Sequence, residues 1–548
     1  VTQTDNSAGK NKSSQLARIG WIALILATLY ICYFHNLGAI GLVGPDEPRY
    51  SWIARDMAET GDWVTPRLYG KPWFEKPVLY YWSAALSFKL FGVSEATARL
   101  PGAFFALFSS LALAWLAWRV HGPETARWLL LFLPTTVGMI GFSHAAATDM
   151  PFSATLTIAM VCGSVVLGLV NDQYTPILPQ TPWLALFLFG LFLGLAVLAK
   201  GPAALVLSGG AVLLWATLTK RWRDAFRCLH PVTVASFCLT ALPWYILCQS
   251  RNPDFFHVFI IEHNFKRYLT PEFQHIQPFW FYVPVILIAL VPWTLVLLWS
   301  AIFGLNDSFW NRRSSSLAFL WMCYAVFIVA FFTISKSKLP GYILPAIPVM
   351  VFLVTRAYVT FADHPQKILR WALTAWAILS LPAGLALIFI GRRFHASPGT
   401  GQALVVAGCA LLAFALANLL LSIKAHTTSP NLSPLAVLPI LLLVLMFQSL
   451  SRPWLRTDPS GKTLAAEIQT SGIPTNVIYA ESMKRGQQYS LSFYLHQKVQ
   501  SWNPEQPQSG YLLMRSPLCD SLVKLPATCV GEPLQLKASG WFVNRVEK

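Results

Sequence analysis

Two neighbouring carboxylates stand at the head of the first long polar segment, in Gly44-Pro45-Asp46-Glu47-Pro48-Arg49-Tyr50, directly after an apolar run. Paired acids at the edge of such a run are costly unless they are used or matched. A carboxylate here could orient an incoming nucleophile or take its proton. The plainer alternative is a cap for a helix over 49–59. The same segment holds Trp73-Phe74-Glu75-Lys76-Pro77. This is either an ion pair set in an aromatic belt, or a site in which Lys76 faces a lipid phosphate and Glu75 faces a metal ion or a substrate amine.

Four further places carry residues of the same kind. His144 and Asp149 flank a short polar stretch, where Asp149 before Met150-Pro151 suits a helix cap as well as catalysis. Lys200, between a Leu-rich run and Gly201-Pro202, is either a snorkelling lysine or a site cation. Segment 249–279 contains Glu262-His263-Asn264, Lys266-Arg267-Tyr268 and His275. Glu with His suits Zn²⁺ or Mn²⁺. Neighbours on a helix point about 100° apart, so His263 with the distant Glu75 makes a better pair than His263 with Glu262; a hydrogen-bonded, metal-free histidine is the alternative. Finally, Ser335-Lys336-Ser337-Lys338-Leu339-Pro340 places two lysines at the end of an apolar run, a pattern that suits an anion such as phosphate.

The elements that must position these residues are membrane helices. The 548-residue chain is 55% hydrophobic and 12% charged, with a mean hydropathy of +0.51, whereas soluble domains carry about 25% charged residues. Apolar segments at 17–41, 98–120, 123–141, 150–170, 183–199, 203–219, 231–248, 280–303, 317–334, 340–361, 368–390, 401–423 and 434–450 predict about thirteen helical spans, the first a retained anchor. Segment 79–92 is short and carries Lys89. Omitting it from the count puts Arg119, Arg127, Lys220, Arg221, Arg223, Arg227, Arg312, Arg313, Lys367 and Arg370 in cytoplasmic loops, as the positive-inside rule requires. It is therefore read as an interfacial helix on the outer side, as are the functional loops 42–97, 142–149 and 249–279.

Residues 1–450 then form the catalytic membrane domain, and 451–548 an exported α/β domain with strands near 476–480, 511–515 and 541–546 and a helix at 461–470. Cys519 and Cys529 lie in that tail and suit a disulfide; the other seven cysteines read as small hydrophobes. The net charge of +17 is spread between spans, which argues against nucleic acid. No nucleotide-binding loop or hydrolase elbow occurs in a credible context. A lipid-linked donor is the expectation.

The motifs Asp46-Glu47-Pro48-Arg49-Tyr50, GDWVTPRLYGKPWFEKP at 61–77, the Glu262-His263 to Phe279-Trp280 region and SKSKLPGYILPAIP at 335–348 resemble the bacterial lipid A aminoarabinose transferases, within the protein-mannosyltransferase-like GT-C glycosyltransferases. The resemblance covers 17–450. It implies a GT-C helical fold and a donor of 4-amino-4-deoxy-L-arabinose on undecaprenyl phosphate. The implied acceptor is a lipid A phosphate at the periplasmic face of the inner membrane, and the outcome is resistance to polymyxin. It assigns Asp46 as the catalytic acid, with Asp149 and Glu47 beside it. Lys76, Arg49, Arg267, Lys200, Lys336, Lys338 and Tyr342 are the candidates for donor phosphate, and Glu75 and His263 for a divalent metal. A monomer embedded in membrane lipid is expected. Two alternatives stay open: transfer of another sugar or to a protein acceptor, and lipid transport without chemistry.

Overall fold

The computed structural model describes residues 4–169, 183–266, 276–304, 310, 316–360, 365–393, 398–427, 435–454, 459–506, 508–516 and 528–547. Among these, eight helices are long and apolar enough to cross a membrane. A ninth is added if the helices Pro123–Phe132 and Val137–Ser143, which meet at 65°, form one span. Shorter apolar helices, including Ala203–Thr219 and Phe279–Ala289, lie among them. The chain is a multi-pass membrane protein.

Several expected boundaries move. The first helix stops at Tyr33 and not at 41, because the carbonyls of Leu37, Ile40 and Gly41 are taken by the side chain of Arg99. The apolar letters of 37–40 prolong the hydropathy signal beyond the helix. Segment 280–303 is two helices, Tyr282–Ala289 and Thr294–Gly304. Segment 340–361 opens with a 3₁₀ turn, and its α-helix begins at Ala346. Leu79–Phe91 is a helix of 13 residues; at 1.5 Å per residue it is about 20 Å long, short of a hydrocarbon core of about 30 Å.

Helices close on one another through small residues, as expected where lipid offers no hydrophobic drive between helices. Gly190 and Gly194 of the Trp183–Lys200 helix, four residues apart, face Pro231–Arg251. A Cβ at Gly190 would fall on Ser236 Oγ and the Thr233 carbonyl, and one at Gly194 would meet Thr240 at 2.8 Å.

The last domain begins after the Leu438–Trp454 helix. Its strands follow a small hairpin in the loop after the first helix, β1 (Arg67–Leu68) and β2 (Lys71–Pro72). They are β3 (Ile478–Ala480), β4 (Gln500–Ser501), β5 (Gly510–Met514), β6 (Thr528–Leu536) and β7 (Trp541–Glu547). The sheet runs β4-β3-β5-β7-β6, parallel across β4-β3-β5 and antiparallel on the other side. Leu464, Ile468, Leu491, Leu513 and Trp541 form a core separate from the membrane helices. Cys529 on β6 is disulfide-bonded; its expected partner, Cys519, lies outside the described residues.

Candidate active site

Asp46 is the first residue of the helix Asp46–Thr60, whose N-cap position is held by Pro45 with no side-chain capping bond. The acids therefore do something other than cap. One turn on, Arg49 is 4% exposed, and its guanidinium forks between two carboxylates: Nη2 to Asp46 Oδ1 at 2.5 Å and Nη1 to Glu75 Oε2 at 2.8 Å. A planar fork with fixed N–H directions is suited to this bridging. The rings of Tyr50, Trp73 and Tyr489 surround its face at 5.1, 5.3 and 5.9 Å. Arg49 was expected on the donor phosphate. In the structure the two terminal nitrogens of its fork are engaged by Asp46 and Glu75.

The next residue behaves differently. Glu47 Oε1 accepts from Arg99 Nε and the Ala146 amide, and Oε2 from Arg99 Nη2 and the Val43 amide, all between 2.7 and 2.9 Å. These four bonds fill the acceptor sites of a carboxylate. Glu47, expected beside Asp46 in catalysis, is a buried strut that joins the loop after the first helix to the segment before Asp149. Arg99 escaped the sequence reading, although an arginine inside an apolar span is itself a signal of this kind.

Glu75 and His263 line one cleft of about 450 Å³, together with Trp73, Arg251 and Asp254. No group of three or more His, Cys, Asp or Glu suited to a metal occurs among the described residues. Among the described residues Glu75 and His263 are the two candidate ligands that this cleft brings together, and Glu75 is already paired with Arg49; no step below runs through a metal ion. Lys76 follows Glu75 and is half-buried. Arg267, like His275, lies outside the described residues.

Behind the ion pairs, burial reinforced by the charge of Glu75 holds the phenols of Tyr50 and Tyr81 well above their ordinary range, so both are neutral. The Tyr81 hydroxyl is fully buried with no hydrogen-bond partner among the described residues.

A second cluster gathers Asp149, Lys200 and Tyr342. Asp149 starts its helix without capping it and meets Lys200 Nζ at 2.5 Å. The ammonium also lies 5.4 Å from the Phe152 ring and 5.1 Å from Tyr342. Gly341 is needed here, because a Cβ would come within 2.5 Å of Asp149 Oδ1. In the adjoining loop Lys336 is exposed. Lys338 is buried, and its ammonium donates to the Ser335 carbonyl at 2.7 Å and to that of Gln277 at 3.3 Å. Lys338, expected at an anion, thus ties its own loop to the segment bearing Gln277.

Residues 20–259 match the family model described as dolichyl-phosphate-mannose-protein mannosyltransferase. The chain is 34% identical to the undecaprenyl phosphate-α-4-amino-4-deoxy-L-arabinose arabinosyl transferase of Edwardsiella ictaluri over 64% of this chain and 61% of that one. It is 31% identical to the protein of that name from an Enterobacter species, over 72% of this chain and 71% of the relative. Its fold matches the crystal structure of ArnT from Cupriavidus metallidurans bound to undecaprenyl phosphate, with a TM-score of 0.76 at 22% identity, covering 96% of this chain and 98% of that one. The helical part is accordingly of the GT-C type, and the chain belongs to the undecaprenyl phosphate-4-amino-4-deoxy-L-arabinose arabinosyl transferase family.

Proposed function

We propose that this protein moves 4-amino-4-deoxy-L-arabinose from undecaprenyl phosphate to a phosphate of lipid A, at the periplasmic face of the bacterial inner membrane. The names of its relatives support the donor and the sugar. The observation that carries the reading is the Asp46–Arg49–Glu75 bridge: a half-exposed carboxylate, 53% accessible, held by a buried guanidinium to a second carboxylate that lines a cleft.

The reaction is a displacement at the anomeric carbon. An oxygen of the acceptor phosphate bonds to that carbon while the bond to the carrier phosphate breaks, its electron pair leaving on undecaprenyl phosphate. Single displacement inverts the anomeric centre. The acceptor is already an anion near neutral pH, so no base is needed to create the nucleophile. Asp46 acts on the positive charge that develops on the sugar, a place where a preorganised carboxylate is effective. Lys76 and Lys336 are the cations assigned to the departing phosphate, and Glu75 the acid assigned to the sugar amine. The added amine lowers negative surface charge and weakens the binding of cationic peptides such as polymyxin.

Purified protein in detergent, given the lipid-linked sugar and lipid A, should yield modified lipid A by mass spectrometry. A transporter makes no product there. Product with a protein acceptor or another sugar, and none with these substrates, would overturn the assignment.

A further inference from the structure

The Arg485–Leu495 helix of the sheet domain carries Gly486, Tyr489, Ser490, Phe493 and Tyr494, the i, i+3, i+4, i+7, i+8 spacing of one helical face. That face lies on the stretch of chain bearing the acids. Gly486 meets it first: a Cβ there would stand 2.8 Å from the Gly44 carbonyl carbon, two residues before Asp46. One turn on, the Tyr489 ring covers the Arg49 guanidinium at 5.9 Å and stacks on Tyr69 at 6.4 Å. Ser490 Oγ donates to the Leu42 carbonyl at 2.8 Å. In the last turn the Tyr494 hydroxyl accepts from the Leu42 amide at 2.9 Å and donates to Glu95 at 2.8 Å, and Lys462 meets the same Glu95 oxygen at 2.6 Å.

We propose that the sheet domain completes the catalytic site. Tyr489 is a positioning residue that holds Arg49, and through it Asp46 and Glu75, while the Gly486–Gly44 contact sets the height of the turn bearing Asp46. A small domain that only needed to be attached would not require a glycine-to-glycine approach beside the reacting carboxylate. The face of the ring does the work. The Tyr489 hydroxyl accepts from Arg485 of its own helix at 3.3 Å, and the Arg485 guanidinium also stands 5.4 Å from the ring. The inference rests on the glycosyl-transfer reading above.

The test uses the full chain in detergent with the aminoarabinose donor and lipid A, measuring kcat, donor KM and thermal midpoint. Tyr489→Leu should lower kcat about ten- to a hundredfold, the scale of a misplacement of about 1 Å, with donor KM rising by less than kcat falls. Tyr489→Phe should stay within about twofold of wild type in both. A wild-type kcat in Tyr489→Leu overturns the proposal, and so does a Phe variant as impaired as Leu. If Tyr489→Leu does not accumulate folded, Gly486→Ala decides: a lowered kcat at an unchanged thermal midpoint supports the proposal, and a wild-type kcat overturns it. A wild-type protein that makes no product removes the glycosyl-transfer reading and this inference with it; a wild-type rate in Tyr489→Leu removes this inference alone.

Discussion

Asp46 and Glu47 are neighbours in the chain and opposites in the fold. The Asp46 side chain is 53% accessible and has one arginine partner, whereas that of Glu47 is 10% accessible and has four donors. Adjacent positions on a helix point about 100° apart, which is enough to turn one carboxylate towards the solvent and the other into the packed junction under Arg99. Each acid has its own arginine, and the two arginines differ in what surrounds them. Arg49 is ringed by aromatic faces and joins two acids, while Arg99, near the start of its helix, ties Glu47 to three carbonyls of the preceding linker. A saturated carboxylate holds structure; a carboxylate held at one edge can still meet a substrate.

The contrast breaks most readily at the buried pair. Glu47→Ala leaves the Arg99 guanidinium, 3% accessible, without its counter-charge, and removing one partner of a buried pair costs about 3–5 kcal/mol. Thermal unfolding in detergent should show a large fall in midpoint, and an unchanged midpoint would mean that the clasp carries no stability. Asp46→Asn should do the reverse: the fold stays near wild type while transfer drops by about 10²–10³-fold, the scale for losing one electrostatic contact to a transition state. A variant that turns over normally would take Asp46 out of the reaction.

Arg49→Lys sharpens the comparison further. An ammonium cannot span two carboxylates as a planar fork does, so kcat should fall about tenfold, on the order of 1.4 kcal/mol, with modest loss of stability. Equal activity would show that charge alone suffices.

The smallest effect belongs to Asp62, which gathers donors as Glu47 does, but near the surface. Burial would raise its pKa, yet the amides of Val64 and Thr65 and the guanidiniums of Arg251 and Arg67 outweigh that and hold it below the usual carboxylate range. Because the folded value is depressed, the stabilisation is complete above the unfolded pKa and is lost as pH falls through the folded one. Asp62→Asn should therefore be slightly less stable than wild type at neutral pH, with the gap closing as the solution is acidified below about pH 4. Solvent screening keeps the difference small. A gap that persists under acid would assign the effect to packing instead of charge.

Much of the fold was legible. Hydropathy is a local property, and each expected apolar segment overlaps a helix, although the first helix ends at Tyr33 and 280–303 is broken in two. The helix at Lys462–Thr470 and strands β3, β5 and β7 lie where alternation and helical spacing place them. Strand β6 was missed because its residues are mostly exposed and carry no alternating apolar face. The helix Arg485–Leu495 was missed because its sequence, rich in Gln and Ser, looks like a polar loop until Leu42 and Glu95 are brought against it. Ser335-Lys336-Ser337-Lys338 was legible as a basic motif, but not in its division of labour, because Lys336 is exposed and Lys338 is turned inward on carbonyls.

The sequence by itself determined which segments are apolar and helical and which residue types gather in the loops between them, since apolar length and charge are counted along the chain; of the thirteen spans expected, eight or nine helices among the described residues are long enough to cross a membrane. Only the tertiary structure decided that Glu47 supports and Asp46 faces out, that Arg49 serves carboxylates, and that a helix more than four hundred residues away closes over them. Those outcomes depend on which donors reach each carboxylate across the fold, and neither hydropathy nor spacing contains that information.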